Sequence, residues 1–135
     1  MKSRTMLFVA AGFTLAGCAA MMGGSTTSTG CTGTCNVSVT VNAGCVIPMP
    51  VPEPVTVARG HQVIKWTMSS TTPSQYRFTA NGIAFQSGPF TPAPGGGPRV
   101  VVMNDNNQGS GTYKYTINVT DGTQNCSLDP TVVNE

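Results

Sequence analysis

The side chains of this chain with the widest chemical repertoire are its five cysteines, because a thiol can attack an electrophile, form a disulfide or bind a metal. The first of them, Cys18, ends the opening stretch MKSRTMLFVAAGFTLAGC. Lys2 and Arg4 make its start basic, and Met6 to Gly17 then run for twelve residues without a charge. A helix of that length spans about 18 Å, whereas a hydrocarbon core is about 30 Å thick. The pattern therefore predicts an export signal peptide and no stable membrane span.

The last four residues of that stretch, LAGC, resemble the lipobox of bacterial lipoprotein signal peptides. The resemblance implies cleavage before Cys18 and a diacylglyceryl thioether on its sulfur, so that Cys18 is the lipid attachment residue. Two or three acyl chains, palmitate among them, would then anchor the chain stably. Ala19, where an aspartate would retain the protein at the inner membrane, implies sorting to the outer membrane. The alternative is an ordinary secretory leader with a chance cysteine.

The four remaining cysteines are expected to form two disulfides, because the leader exports them to an oxidising compartment. They are the candidates Cys31, Cys35, Cys45 and Cys126. Three pairings are possible, and we favour a small Cys31–Cys35 ring and a long Cys45–Cys126 clasp. A metal site is the alternative. Three residues rather than two separate the cysteines of CTGTC, no partner CxxC pair exists, and the only histidine is distant.

Few other residues suggest catalysis. His61 is the only histidine, and alternation puts it on the strand face opposite Ile64 and Trp66, where a solvated or capping role is expected. No G-x-S-x-G elbow, P-loop or G-x-G-x-x-G motif occurs, and five scattered carboxylates do not suggest a glycosidase pair. The sequence therefore predicts no catalytic residues and a protein that is not an enzyme.

Two groups of residues invite a metal hypothesis. Asp105 in NDNNQGSG lies among amides, but calcium takes oxygens from several acids, so we expect a plain loop. Met49, Met68 and Met103 could bind Cu(I) together with His61, although core filling is the more common role of methionine. No metal or cofactor is predicted.

Composition indicates one small β-rich domain. Removal of residues 1–17 takes away two of the seven basic residues, which leaves five basic and five acidic ones. This balance argues against nucleic-acid binding, which needs a basic surface. Sixteen Gly and ten Pro favour turns and strands over helices.

Three segments alternate apolar and polar residues with the period of two that is typical of half-buried strands. They are NVSVTV from residue 36, HQVIKWTM from residue 61 and TYKYTINVT from residue 112. The only tryptophan, Trp66, is expected at the centre of the core. With shorter strands between them, about seven or eight strands predict an all-β protein with a Greek-key β-sandwich.

Turn-forming residues mark the rest of the chain. Residues 18–34 have the composition of a flexible linker. Prolines at 48, 50, 52 and 54 predict an extended edge or crossover in polyproline geometry. Asn81 and Gly82 predict a hairpin between two short strands. Residues 90–98 and 104–111 are predicted loops, and residues 91–98 and 104–111 are the candidate contact surfaces.

Two stretches resemble the cupredoxins, the family of blue-copper β-sandwiches. They are V-x-V-x-x-G-x-x-V-x-x-W from Val55 to Trp66 and GTYKY from Gly111 to Tyr115. The resemblance covers residues 55–120 and implies a cupredoxin-like sandwich, with an Ig-like one as the alternative. GTYKYT and the LDP tail also resemble small uncharacterised exported bacterial proteins.

The copper ligands of that family do not carry over. Blue copper takes two His, one Cys thiolate and a weak axial ligand. Ile117 stands where the resemblance places the cysteine, and the stretch after Trp66, with Ser74 and Tyr76, has no histidine. The resemblance therefore implies the scaffold without its copper centre.

Together these features predict a lipid-anchored, non-enzymatic module of the bacterial envelope. Its parts are the leader 1–17, the lipid-anchored linker 18–34 and the β-sandwich 35–135. Its predicted partners are the membrane, through the N-terminal lipid, and another envelope protein that it contacts or whose assembly it stabilises. It would face the periplasm at the outer membrane. The alternative is a periplasmic copper-handling protein with a degenerate cupredoxin fold. The oligomeric state stays open.

Overall fold

A computed structural model describes residues 30–135 of the chain. These residues form nine strands. The strands are β1 (Thr34–Val39), β2 (Val55–Val57), β3 (Gly60–Met68), β4 (Arg77–Phe85), β5 (Phe90–Pro92), β6 (Val100–Asn107), β7 (Gly111–Thr120), β8 (Asn125–Leu128) and β9 (Thr131–Asn134). The predicted all-β class is confirmed, with nine strands in place of the expected seven or eight.

The strands form two mixed sheets. The first has the order β1-β3-β6-β5, and the second has the order β2-β9-β7-β4, with β8 also paired to β7. Two pairings are parallel, β1 with β3 and β2 with β9, and the other strand pairs are antiparallel. Inward side chains of both sheets share one hydrophobic core, as in a β-sandwich.

The alternating segments occupy the positions that their pattern predicts. Val37 and Val39 of β1 are buried, and so are Ile117 and Val119 of β7. Trp66 on β3 has no exposed surface. The prediction that it lies at the centre of the core is confirmed. Alternation identifies these faces because each strand buries one side and exposes the other.

The proline-rich segment between β1 and β2 lies along the outer edge of β1. Val51 exchanges two backbone hydrogen bonds with Ser38, at 2.8 and 3.0 Å. The segment therefore covers a strand edge, as predicted, and carries the chain from the first sheet to the second. Its Val51–Pro52 and Glu53–Pro54 peptide bonds are cis, unlike the trans bonds of a polyproline helix.

The predicted hairpin at Asn81 and Gly82 is wrong. Residues 77–85 form one strand, β4, with a large bulge opposite β7. Five steps along β4, from Phe78 to Ile83, match two steps along β7. The extra residues are held because the Asn118 amide donates to the Asn81 carbonyl at 2.8 Å. Gly82 lets the backbone pack on Phe78, since a Cβ there would lie 2.6 Å from the Phe78 Cβ.

Both predicted loops are partly strand. Residues 90–92 form β5 at the edge of the first sheet, and residues 104–107 extend β6. The stretch of four polar residues continues the strand because Asp105 and Asn107 face inward, where both are fully buried. The polar interior they create lies at one end of the sandwich, which we call the lower end.

Arg99 fixes the β3–β4 loop at the opposite end. Its guanidinium donates to four backbone carbonyls, those of Pro73 (3.1 Å), Tyr76 (3.0 Å), Ser69 (3.2 Å) and Thr72 (3.0 Å). A planar guanidinium presents five donors in a fixed geometry, so one arginine side chain can donate hydrogen bonds to several backbone carbonyls of a loop at once.

Candidate functional site

A groove of about 560 Å³ opens at the lower end of the sandwich, between the β4–β5 connection and the β6–β7 loop. A backbone hydrogen bond of 3.1 Å, from the Asn106 amide to the Pro89 carbonyl, joins its two walls. The lining consists of Gly88, Pro89, Asn106, Gln108, Gly109, Ser110 and Tyr113. Within the described part of the chain, the groove is thus lined by amides, a hydroxyl, an aromatic ring and backbone, with no charged side chain.

Tyr113 is the only aromatic residue in this lining, and packing fixes its ring. The ring meets Phe90 edge to face at a centroid distance of 5.2 Å. Phe90 in turn stacks on Phe85 at 3.7 Å, and Phe85 contacts Trp66 at 6.1 Å. A continuous set of aromatic contacts therefore runs from the centre of the core to the groove. Tyr113 is half-buried, so one part of its ring packs on the protein and another part stays accessible.

Two glycines make room for the Tyr113 ring. A Cβ at Gly111 would lie 2.8 Å from the Tyr113 hydroxyl oxygen. A Cβ at Gly88 would lie 2.6 Å from the Phe90 ring and 2.9 Å from the Tyr113 ring, and the φ of Gly88 is 119°. Glycine is required at residue 88 on both counts, because other residues rarely adopt that conformation. The groove is therefore shaped before any ligand arrives.

A buried polar layer lies behind the groove. The Asn134 amide donates to one carboxylate oxygen of Asp105 at 3.2 Å, and the Asn107 amide donates to the carbonyls of Val57 (3.2 Å) and Ala58 (3.1 Å). Burial raises the pKa of Asp105, while the Asn134 hydrogen bond and the charge of His61 act in the opposite direction. This layer fixes the lower end of β6, from which Asn106 projects to the groove.

Two other titratable groups are partly or fully buried. Glu53 accepts a 2.9 Å hydrogen bond from the Thr131 amide, and burial raises its pKa. Burial also raises the pKa of the Tyr115 hydroxyl, in the core beside Trp66. Neither residue lines the groove.

The described chain begins at the same end of the sandwich. The Gly30 amide donates to a carboxylate oxygen of Glu135 at 3.2 Å. Cys31 exchanges backbone hydrogen bonds with the β2 region, donating to Thr56 at 2.8 Å and accepting from Ala58 at 3.0 Å. Residues 30–34, which the sequence assigns to the linker, are therefore held against the domain.

Both expected disulfides are present. Cys31 pairs with Cys35 and Cys45 pairs with Cys126, with Cα–Cα distances of 5.6 and 5.7 Å. Each disulfide links the two sheets. Cys31 forms a β-bridge with Val57 of β2, whereas Cys35 lies on β1. Cys45 follows β1, whereas Cys126 lies on β8. The predicted lipid attachment residue, Cys18, lies outside the described residues.

The structure does not bring the proposed copper ligands together. Met68 and Met103 face the core, whereas Met49 is 60% exposed. Met103 pairs with Ile64, four positions along β3 from Met68. His61 is exposed on the opposite face of that strand, next to Asn106 of β6.

The residues at which the resemblance to cupredoxins would place copper ligands have other roles. Ile117 is completely buried. The Tyr76 hydroxyl accepts a hydrogen bond from the Cys45 amide at 3.1 Å. Ser74 lies exposed in the β3–β4 loop.

Two kinds of site are absent from residues 30–135. No group of three or more His, Cys, Asp or Glu side chains lies close enough to hold a metal ion in this region. The same region contains no helix that is long and apolar enough to cross a membrane.

Sequence reasoning located the groove only in part. It named residues 104–111 as a contact surface, and Gln108 to Ser110 do line the groove, whereas the other predicted surface, residues 91–98, does not. Alternation along TYKYTINVT predicts Tyr113 on the same face as Tyr115, whereas its side chain is only half-buried. Its position near the end of β7, two residues after Gly111, was the available signal that its ring would reach the mouth of the sandwich.

The chain was compared with known proteins. No model of a protein family matches it, and no curated protein does. The fold and the groove are therefore the observations from which a function can be proposed.

Proposed function

We propose that this chain is a lipid-anchored, non-enzymatic binding module of the bacterial envelope, and that it binds its target through the groove at the lower end of the sandwich. The leader ending in LAGC supports the anchor at Cys18, and Ala19 supports the outer membrane with the domain facing the periplasm. Two disulfides that link the sheets suit a protein of an oxidising compartment.

The observation that carries the binding function is the fixed shape of the groove. Tyr113 is held by Phe90 and by the space that Gly88 and Gly111 leave for its ring. A preformed concave surface with an aromatic ring and a few polar groups is the usual form of a small ligand site. A rigid site also loses little conformational entropy when a ligand binds.

Copper handling, the alternative function, is not proposed. Among the described residues, Met68 and Met103 belong to the core and His61 lies on the other side of the first sheet. Nothing in their placement favours a shared metal ion.

The anchor is tested by labelling cells with a palmitate analogue. The native chain should take up the label, and Cys18→Ala should lose it. The double variant Cys31→Ala/Cys35→Ala is the matched control, since it removes two cysteines and should keep the label. Ala19→Asp should move the protein from the outer-membrane to the inner-membrane fraction. An unlabelled native chain contradicts the proposed anchor.

The groove is tested by placing a photo-crosslinking amino acid at Gln108 in living cells. Gln75, an exposed residue of the β3–β4 loop at the opposite end, is the matched control. We expect a specific adduct from residue 108 and none from residue 75. No adduct at residue 108, or equal adducts at both positions, contradicts binding through the groove.

A further inference from the structure

We infer that the ligand of the groove is an uncharged saccharide. This inference rests on the proposed binding function and names the chemical class of its ligand. Three features of the groove carry it: the fixed Tyr113 ring, the unpaired side-chain amides and hydroxyl around it, and the neutrality of its lining.

The ring offers a surface for the face of a sugar. Pyranose rings carry C–H groups on one face, and these pack well on the electron-rich face of an aromatic ring. Tyr113 packs edge to face on Phe90 at a centroid distance of 5.2 Å. The ring also packs closely over Gly88 and Gly111, where a Cβ would lie 2.9 and 2.8 Å from the Tyr113 side chain. The ring is therefore fixed before the ligand binds.

The polar groups beside the ring match the hydroxyls of a sugar. Asn106 and Gln108 are exposed, and neither side-chain amide has a hydrogen-bond partner among the described residues. A carboxamide donates and accepts through adjacent atoms, so it can bond to two neighbouring hydroxyls at once. Ser110 adds a hydroxyl that can do either. These groups together could pair with both the donors and the acceptors of a neutral, hydroxyl-rich ligand.

The neutrality of the lining disfavours an acidic ligand. Within residues 30–135, no charged side chain lines the groove. A phosphate or carboxylate on the ligand would lose water without gaining the cationic partner that such groups normally find in proteins. A neutral saccharide has no such requirement.

The test is isothermal titration calorimetry on the mature, lipidated chain in phospholipid nanodiscs. The probes are cellotetraose, maltotetraose and chitotetraose, and tetragalacturonate is the charged comparison. At least one neutral tetrasaccharide should bind, with tetragalacturonate at least about tenfold weaker because its carboxylates lack a counter-charge.

Variants assign that binding to the groove. Asn106→Ala and Gln108→Ala should each weaken it about threefold to tenfold, the loss of one or two neutral hydrogen bonds. Tyr113→Phe should retain binding, and Tyr113→Leu should lose more than about tenfold. Gln75→Ala at the opposite end should have no effect. Because Tyr113→Leu could impair packing with Phe90, the two surface amide variants decide the outcome if that variant does not fold.

Three results would overturn the saccharide. They are no binding of any neutral probe, binding of tetragalacturonate alone, and binding that none of the groove variants weakens. A protein adduct from the crosslinker at Gln108 would also overturn it, and a protease-resistant adduct that contains sugar would support it. If no saccharide binds but an adduct still forms at Gln108, the proposed binding function stands and only the saccharide is refuted. If no saccharide binds and no adduct forms, both proposals are refuted.

Discussion

The Cys45–Cys126 disulfide should contribute more to stability than Cys31–Cys35, because it closes a far longer loop. Cys45 and Cys126 are 81 residues apart in the sequence, whereas Cys31 and Cys35 are 4 residues apart. The loss of chain entropy in the unfolded state gives about 4.5 kcal/mol for the first loop and about 2 kcal/mol for the second. We therefore expect Cys45→Ala/Cys126→Ala to cost about 2.5 kcal/mol more free energy of unfolding than Cys31→Ala/Cys35→Ala.

The backbone at Cys45 adds a second, separable contribution. Its φ of 64° lies in the left-handed region, which costs a residue other than glycine about 1 kcal/mol. The Tyr76 hydroxyl, which accepts from the Cys45 amide, still holds this turn after the disulfide is removed. Cys45→Gly/Cys126→Ala should therefore be about 1 kcal/mol more stable than Cys45→Ala/Cys126→Ala.

Urea denaturation followed by the fluorescence of Trp66 measures these differences, since this ring is fully buried in the core. All four cysteines pack against the core, so the loss of sulfur contacts affects both double variants. Equal costs for the two pairs would refute the reasoning from loop length. A Cys45→Gly variant no more stable than its alanine counterpart would refute the assignment of strain at this residue.

Three further perturbations test other parts of the fold. Arg99→Lys should cost about 2 kcal/mol in urea denaturation and speed hydrogen exchange in the β3–β4 loop, because an ammonium cannot reach all four carbonyls; exchange unchanged from the native chain contradicts this role. Burial raises the pKa of Asp105 above 3.8, so the folded chain keeps a proton that the unfolded chain releases, and stability should fall as pH rises from about 4 through the raised pKa. Asp105→Asn should flatten that slope and add about 1 kcal/mol at pH 7, and an unaltered pH profile would show that another group titrates. Gly82→Ala should cost about 1–3 kcal/mol because its Cβ would meet Phe78 at 2.6 Å, whereas Gly109→Ala, with open space around it, should change thermal stability little.

The parts of the fold that the sequence predicts well are those where one face of a strand is buried and the other is solvated. β7 is the clearest example, since Tyr115, Ile117 and Val119 are buried in alternation. The same rule placed Trp66 in the core. The favoured disulfide pairing is confirmed, although the sequence left three pairings open until the structure distinguished them.

The errors arise where tertiary packing overrides a local signal. Asn81 and Gly82 have the preferences of a tight turn, yet β7 continues past them and keeps both in one bulged strand. The polar residues of the β6 end resemble a loop, but Asp105 and Asn107 find partners between the sheets. Neither partner, Asn134 or the Val57 carbonyl, is near in sequence, so no local pattern could reveal them.

The position of the groove limits where its ligand can be if Cys18 carries the lipid. Gly30 and the groove lie at the same end of the sandwich, on opposite sides of that end, since the chain starts beside β2 and the groove lies by β5. Three strand spacings separate β1 from β5, about 15 Å. Eleven residues join Cys18 to Gly30, and even fully extended they span at most about 40 Å. A lipid at Cys18 would therefore keep the groove within about 55 Å of the bilayer, so the groove could bind only ligands that come within that distance of the membrane surface.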